Sequence, residues 1–167
     1  ELIHMIRQGA YKKLSGDLLQ ENEQKYRELF EKSSIATIIY NSEGTLIDIN
    51  PTALSLLKIS SVSDVKGLYL FQHHEMSEET INRLKAGETI RASKVVNFDE
   101  IDVIHSHSGI GPGTKYIDIS IIPHTKADGS ISAYYVQIID LTAQHHAEEN
   151  LRETSEQLSL ALEGSRI

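Results

Sequence analysis

The 167-residue sequence contains no cysteine. This absence excludes disulfides, thiolate zinc sites, thiol nucleophiles and any cysteine that bonds covalently to a flavin or another chromophore. A chain without cysteine is compatible with a reducing compartment, and we expect a cytoplasmic location.

Long apolar runs are also missing. None approaches the roughly 20 residues that a helix needs to span a bilayer, and residues 1–9 lack the charged start and apolar core of a signal peptide. We therefore expect no membrane contact by this segment. The sequence begins with Glu1 rather than methionine, and we expect it to be a piece of a longer polypeptide.

Positive charge is scarce, because 16 lysines and arginines face 24 aspartates and glutamates, for a net charge of -8. Such a surface repels a phosphate backbone, so we expect no direct nucleic-acid binding. Hydrophobic residues make up 40% of the chain, enough for a core that offsets the entropy cost of folding. The length suits one domain of about 100 to 150 residues with extra helix at its ends.

Local patterns predict two strands, several short helices and then three strands, followed by a polar helix. Turn chemistry at Gly44 and Gly129 joins hairpins, and Asn50-Pro51 is typical of a helix start. The predicted helices cover residues 17–32, a stretch beginning at 50–51, a turn at 63–66 and residues 77–87. The predicted strands cover residues 35–40, 45–49, 90–98, 116–123 and 130–140, and the third of them extends through residues 101–104.

The fourth predicted strand alternates apolar and polar side chains. Ile117, Ile119 and Ile121 are separated by Asp118 and Ser120. Because successive side chains of a strand point to opposite faces, this pattern predicts a sheet whose isoleucines face the core.

The polar helix after Thr142 carries a thin heptad seam. Its apolar or small positions recur at alternating steps of four and three residues, which is typical of a coiled coil that needs a partner. The seam consists of Ala147, Leu151, Thr154, Leu158 and Ala161.

Five short segments occur in a specific order and spacing. Residues 26–33 read Tyr-Arg-Glu-Leu-Phe-Glu-Lys-Ser, residues 41–46 form a polar turn with glycine, and residues 49–53 contain an Asn-Pro helix start. Residues 128–130 form a second turn, and residues 136–142 end in an Asp-x-Thr junction. Together, from about Glu21 to Leu162, they resemble the PAS family of prokaryotic sensor proteins.

This resemblance implies an α+β PAS fold, with a five-stranded antiparallel sheet and short helices on one face. It divides the chain into an N-terminal linker helix (1–24), a PAS sensor domain (25–142) and a C-terminal output helix or coiled-coil linker (143–167). Residues 160–165 resemble the start of a further PAS module. The loop over residues 98–114 is longer than usual for the family, and Lys-Ile-Ser at 58–60 replaces its common aromatic-glycine pair.

The resemblance also implies a non-catalytic sensor and dimerisation module that relays a signal to an output domain. The parent protein is then expected to be a sensor histidine kinase of a two-component system, or a diguanylate cyclase. The expected partners are a second copy, bound through the flanking helices, and neighbouring PAS and output domains. The core between sheet and helices is expected to be empty or to hold a small ligand, with pocket candidates Ile38, Leu54, Leu57, Phe71, Ile81, Leu84, Ile119, Ile121 and Ile138.

The Asp140-Leu141-Thr142 segment is the candidate for signal relay. We expect the Thr142 side chain to cap the output helix by accepting a hydrogen bond from its first turn, and Asp140 to form a charge-assisted bond with a group on the domain. The simpler alternative is an ordinary helix start that needs only Thr142.

Among the eight histidines, His73 and His74 precede the helix that supplies an axial haem ligand in some PAS sensors. We expect this pair to face solvent and no cofactor to be bound. A haem- or flavin-binding redox or gas sensor is kept as an alternative.

The other histidine pairs are candidates for metal binding. His105 and His107 have strand spacing but no third ligand near them in sequence. His145 and His146 are adjacent on a helix, where neighbouring side chains diverge, so we expect no chelation by that pair. A metal-dependent enzyme using the histidines is the second alternative, but we assign no catalytic or metal-binding residue.

Overall fold

The computed structural model describes residues 2–65, 67–72, 76–97 and 113–164, with side chains from residue 15 to residue 163. Its elements follow the predicted order. They are α1 (Leu2–Glu31), β1 (Ala36–Asn41), β2 (Leu46–Ile49), α2 (Pro51–Leu57), a 3-10 turn (Val62–Val65), a second 3-10 turn (Leu70–Gln72), α3 (Glu78–Lys85), β3 (Ile90–Asn97), β4 (Thr114–Thr125), β5 (Ile131–Asp140) and α4 (Thr142–Gly164).

The five strands form one antiparallel sheet in the order β2-β1-β5-β4-β3. This confirms the predicted α+β class and the five-stranded antiparallel sheet. The first and last strands meet at its centre, where Ala36 pairs with Ile138. The chain therefore enters β1 and leaves β5 at the same end of the sheet.

The inner face of the sheet carries the hydrophobic core. Ile117 is buried, Ile119 and Ile121 are partly buried, and Ile119 and Ile121 pair with Ile138 and Val136 of β5. Ile117, Ile119 and Ile121 of β4 thus share the core face, which confirms the register predicted from their alternation with polar residues. The short helices close this face with side chains such as Ala53 and Leu84, both fully buried.

Asn50 fixes the start of α2. Its Oδ1 accepts hydrogen bonds from the amides of Ala53 and Thr37, each 2.9 Å long, so the predicted asparagine cap is confirmed. Its Nδ2 donates to the carbonyl oxygens of Phe30 and Ile35. One fully buried amide therefore joins the end of α1, the start of β1 and the first turn of α2.

The β1–β2 turn depends on Gly44, whose φ is +90°. A Cβ at this position would lie 2.7 Å from two ring carbons of Phe71, so both the backbone conformation and the close approach require glycine. Phe71 lies on the second 3-10 turn, which the sequence patterns did not predict. Its ring meets Tyr134 edge to face, with ring centroids 5.3 Å apart.

The two flanking helices expose apolar side chains. α1 begins at Leu2, before the start near residue 17 that local patterns predicted and within the linker helix (1–24) that the family resemblance implied. No helix in the described ranges is long and apolar enough to cross a membrane. The exposed apolar residues are Leu18, Leu19, Tyr26 and Leu29 on α1, and Leu151, Leu158, Leu160 and Leu162 on α4.

Candidate functional site

A cavity of about 350 Å³ lies between the inner face of the sheet and the central helices. Most of its walls are aliphatic, which suits a small molecule more than water. The described lining residues are Ile38, Tyr40, Leu46, Ile49, Leu57, Ile59, Val65, Leu68, Tyr69, Leu70, Met76, Thr80, Ile90, Ala92, Lys94, Val96, Ile117, Ile119, Ile121, Val136 and Ile138.

Five of the nine pocket candidates line this cavity: Ile38, Leu57, Ile119, Ile121 and Ile138. The other four, Leu54, Phe71, Ile81 and Leu84, are not among its lining residues, so their predicted position in the pocket is wrong. The reason is that α2 and α3 each present one turn to the cavity, through Leu57 and Thr80. Leu84 is instead fully buried in the core, and Leu54 and Phe71 pack against it.

Four polar residues in the lining were not predicted: Tyr40, Tyr69, Thr80 and Lys94. Burial raises the pKa of the Tyr40 hydroxyl to about 12, so this group is protonated at neutral pH and offers a hydrogen bond. Lys94 lies on β3 opposite Ile117. Strand alternation in β3 could have predicted the position of Lys94, because Ala92 and Val96, two residues away on either side, also line the cavity.

The carboxylate of Asp140 connects three parts of the chain at the end of β5. Its Oδ2 accepts a 2.6 Å hydrogen bond from Lys115 Nζ of β4, in an ion pair whose two side chains are 31% and 32% exposed. Its Oδ1 accepts a 3.0 Å hydrogen bond from the Thr142 amide at the start of α4. The expected charge-assisted bond to the domain is therefore present, and Lys115 is its donor.

Thr142 does not play the capping role expected from the sequence. It is the first residue of α4, and its hydroxyl oxygen accepts a 3.1 Å hydrogen bond from the Tyr116 amide of β4. The Tyr116 carbonyl in turn accepts a 2.8 Å bond from the Leu141 amide. The prediction was wrong because a side-chain cap comes from a residue that precedes the helix. The hydroxyl ties the start of α4 to β4.

The same contacts set the acidity of Asp140. Its partial burial would raise the pKa, but hydrogen bonds from Lys115 and Thr142, together with the positive charge of Lys115, outweigh burial and lower the pKa below the usual aspartate value. The carboxylate is therefore charged throughout the neutral range.

His145 also contacts the junction. Its ring stacks on Tyr116 with ring centroids 3.6 Å apart and planes 11° apart. Its side chain is 36% exposed, against 61% for His146. The stack adds a second contact between β4 and α4, beside the hydrogen bond from Tyr116 to Thr142.

The haem alternative depends on His73 and His74, which lie outside the described residues, as do His105 and His107. The described lining of the cavity includes neither histidine nor any acidic side chain. Met76 is its one sulfur-containing residue within those ranges. These walls favour an apolar ligand over a coordinated metal centre.

Comparison with known proteins bears on the family of the chain. A PAS domain family model matches residues 24–91. Comparison with curated proteins gave no significant match.

Several solved structures resemble the chain in fold. The PAS domain from Bordetella pertussis BvgS has 16% identity and a TM-score of 0.55, over 82% of this chain and 98% of its own. The PAS domain of an HTR-like protein from Haloarcula marismortui has 13% identity and a TM-score of 0.51, over 72% and 98%. The Rhodobacter sphaeroides LOV protein has 14% identity and a TM-score of 0.51, over 73% and 68%.

At these identities the structural matches establish a shared fold, and the family model adds a match in sequence over residues 24–91. The chain therefore shares the fold of solved PAS domains, and residues 24–91 match the PAS domain family in sequence.

Proposed function

We propose that this PAS domain is a ligand-responsive relay: a small, mainly apolar molecule in the cavity shifts β4, and the β4–α4 junction passes the shift to an output domain. The observation that carries this proposal is the double role of β4. Its inward side chains line the cavity, and its first residues hold the start of α4.

The two roles lie close together in the sequence. Ile117 lines the cavity, while Tyr116 and Lys115, immediately before it, bond to Thr142 and Asp140. A movement of the strand at Ile117 therefore changes the hydrogen bonds at the junction. A relay of this kind requires two arrangements of the junction whose free energies differ by only a few kcal/mol. The junction contacts are few and partly exposed, which is compatible with so small a difference.

The cavity also limits the class of ligand. Its volume of about 350 Å³ lies at the small end of the range for small-molecule sites, about 300 to 1,000 Å³. Aliphatic side chains form most of the wall, and the protonated Tyr40 hydroxyl supplies a hydrogen-bond donor. We infer a compact apolar molecule that carries one hydrogen-bond acceptor. A haem or flavin chromophore is the competing possibility, and an absorption spectrum of the purified protein separates the two.

We further propose that the module forms a homodimer through α1 and α4, and acts in the cytoplasm within a sensor histidine kinase or a diguanylate cyclase. Leu151 and Leu158, seven residues apart on α4, are 73% and 61% exposed in the single chain. Burial of exposed leucines against a second copy is a driving force for association. In this proposal the segment signals through its helices.

The coupling of cavity and junction can be tested with xenon, an apolar probe that occupies dry apolar cavities. Amide NMR spectra under xenon pressure are expected to show shifts for cavity residues and also for Tyr116, Leu141 and Thr142. Val96→Phe fills the cavity and should abolish both sets of shifts. Ile47→Phe is the matched control, because Ile47 is a strand residue on β2 that is 57% exposed and lines neither the cavity nor the junction.

If xenon shifts only the cavity residues, and the junction amides keep their positions, the proposed relay is wrong. If xenon shifts the junction equally in wild type and in Val96→Phe, the response does not come from the cavity.

A further inference from the structure

Three side chains in the first two turns of α4 converge on one point. The Nδ1 atom of His145 lies 3.4 Å from Oε2 of Glu149, and the Nδ1 atom of His146 lies 3.6 Å from the same oxygen. All three potential ligand atoms lie within 4.8 Å of one another. No other such group of three occurs among the residues whose side chains are described.

The two nitrogen–oxygen spacings match the separation of ligand atoms around a tetrahedral metal ion. Zinc binds imidazole nitrogen and carboxylate oxygen at about 2.0 to 2.2 Å, so two of its ligand atoms lie about 3.4 Å apart. The two measured nitrogen–oxygen distances agree with that separation. Two adjacent histidines on a helix do not chelate by themselves, but Glu149, one turn later, lies within reach of both rings.

His145 supplies a second, independent observation. Its Nδ1 atom is buried and makes no hydrogen bond; the approach of Glu149 at 3.4 Å does not have hydrogen-bond geometry. The stack on Tyr116 orients the ring. A buried polar atom without a partner is costly, and an ion bound to it would remove that cost.

We propose that His145 Nδ1, His146 Nδ1 and Glu149 Oε2 bind a divalent first-row transition metal ion such as Zn²⁺. Imidazole with carboxylate suits zinc, copper, nickel or iron better than magnesium or calcium. Three protein ligands leave a fourth position for water or a ligand from another molecule. Because His145 also stacks on Tyr116, the ion would stabilise the junction between β4 and α4.

The competing explanation is a pair of helical ion contacts, in which protonated His145 and His146 face Glu149 without a metal. The two explanations differ in their response to zinc. A metal ligand must lose its proton, so zinc binding by these histidines should weaken as pH falls. An ion pair without metal would show no zinc dependence at all.

The test is calorimetric titration of the full chain with Zn²⁺, together with long-range proton–nitrogen NMR of labelled histidine rings. Zinc is expected to shift the Nδ1 signals of His145 and His146. Glu149→Gln should weaken this binding by more than about tenfold. Glu148→Gln is the matched control, because Glu148 is the adjacent carboxylate, bonds to Gln144 and lies outside the cluster. This substitution should leave the zinc affinity within about twofold of wild type.

Equal zinc affinity in Glu149→Gln and Glu148→Gln would overturn the proposal. Zinc-induced shifts confined to the other six histidines would also overturn it, because they would place the metal elsewhere in the chain. Helix content measured by circular dichroism shows that a loss of binding in Glu149→Gln is not a loss of α4.

Discussion

Removing the charge of Asp140 should weaken the domain measurably without unfolding it. Asp140→Asn keeps an oxygen that can accept the Thr142 amide but loses the ion pair with Lys115. The two side chains are about one-third exposed, so solvent screens the pair and its loss should cost about 1 kcal/mol. Asp140→Ala also removes the acceptor and should cost about 2 kcal/mol in total.

The pH dependence follows from the lowered pKa of Asp140. The folded protein holds the charged carboxylate more strongly than the unfolded chain, whose aspartate pKa is about 3.9. The stabilisation is therefore fully present above that value and is lost as pH falls through the lower folded pKa. The difference in unfolding free energy between wild type and Asp140→Asn should be constant at neutral pH and shrink in acid.

Urea unfolding followed by circular dichroism measures these differences. A double-mutant cycle with Lys115→Met isolates the ion pair, because the coupling free energy excludes effects of either substitution alone. The reasoning is refuted if Asp140→Asn is as stable as wild type at pH 7, or if the stability difference grows as the pH is lowered.

Four further outcomes are expected. Asn50→Ala should destabilise the domain by about 3 kcal/mol or more in urea unfolding, since the fully buried amide loses four hydrogen bonds; a loss below 1 kcal/mol would contradict this. Tyr40 should ionise near pH 12 in an absorbance titration. Because folding raises the pKa of Tyr40, the free energy of unfolding should fall as pH rises above about 10. Ionisation of Tyr40 near pH 10 would contradict its burial. Leu151→Glu with Leu158→Glu should yield monomer by light scattering, while unchanged mass would exclude these leucines from a dimer contact. In the parent protein, Thr142→Ala should change output while melting stays cooperative, and unchanged output would remove its relay role.

Local chemistry made much of the fold predictable. The cap of α2 by Asn50 and the cap of α3 by Ser77, which accepts from the Thr80 amide, depend on residues three positions apart. The turn at Gly44 depends on positive φ. Such signals lie within one short segment, and the isoleucine alternation of β4 fixed its core face in the same way.

Features that need contacts between distant segments were harder to predict. The hydroxyl of Thr142 bonds to Tyr116, which lies 26 positions earlier, so sequence alone favoured the local cap instead. The 3-10 turn carrying Phe71 has no capping signal, and its position depends on close packing against Gly44 and Tyr134. The convergence of His145 with Glu149 follows from ring orientation, which the stack on Tyr116 determines.

The pairing of β1 with β5 has a consequence for the order of folding. These central strands come from opposite ends of the domain, with Thr37 opposite Gln137 and Tyr40 opposite Tyr134. During synthesis β1 can pair with β2 soon after both emerge, but its other edge has no native partner until β5 has left the ribosome. Contacts so far apart in sequence raise the contact order and slow folding, so the β1–β2 hairpin is the part of the nascent chain most exposed to non-native strand pairing.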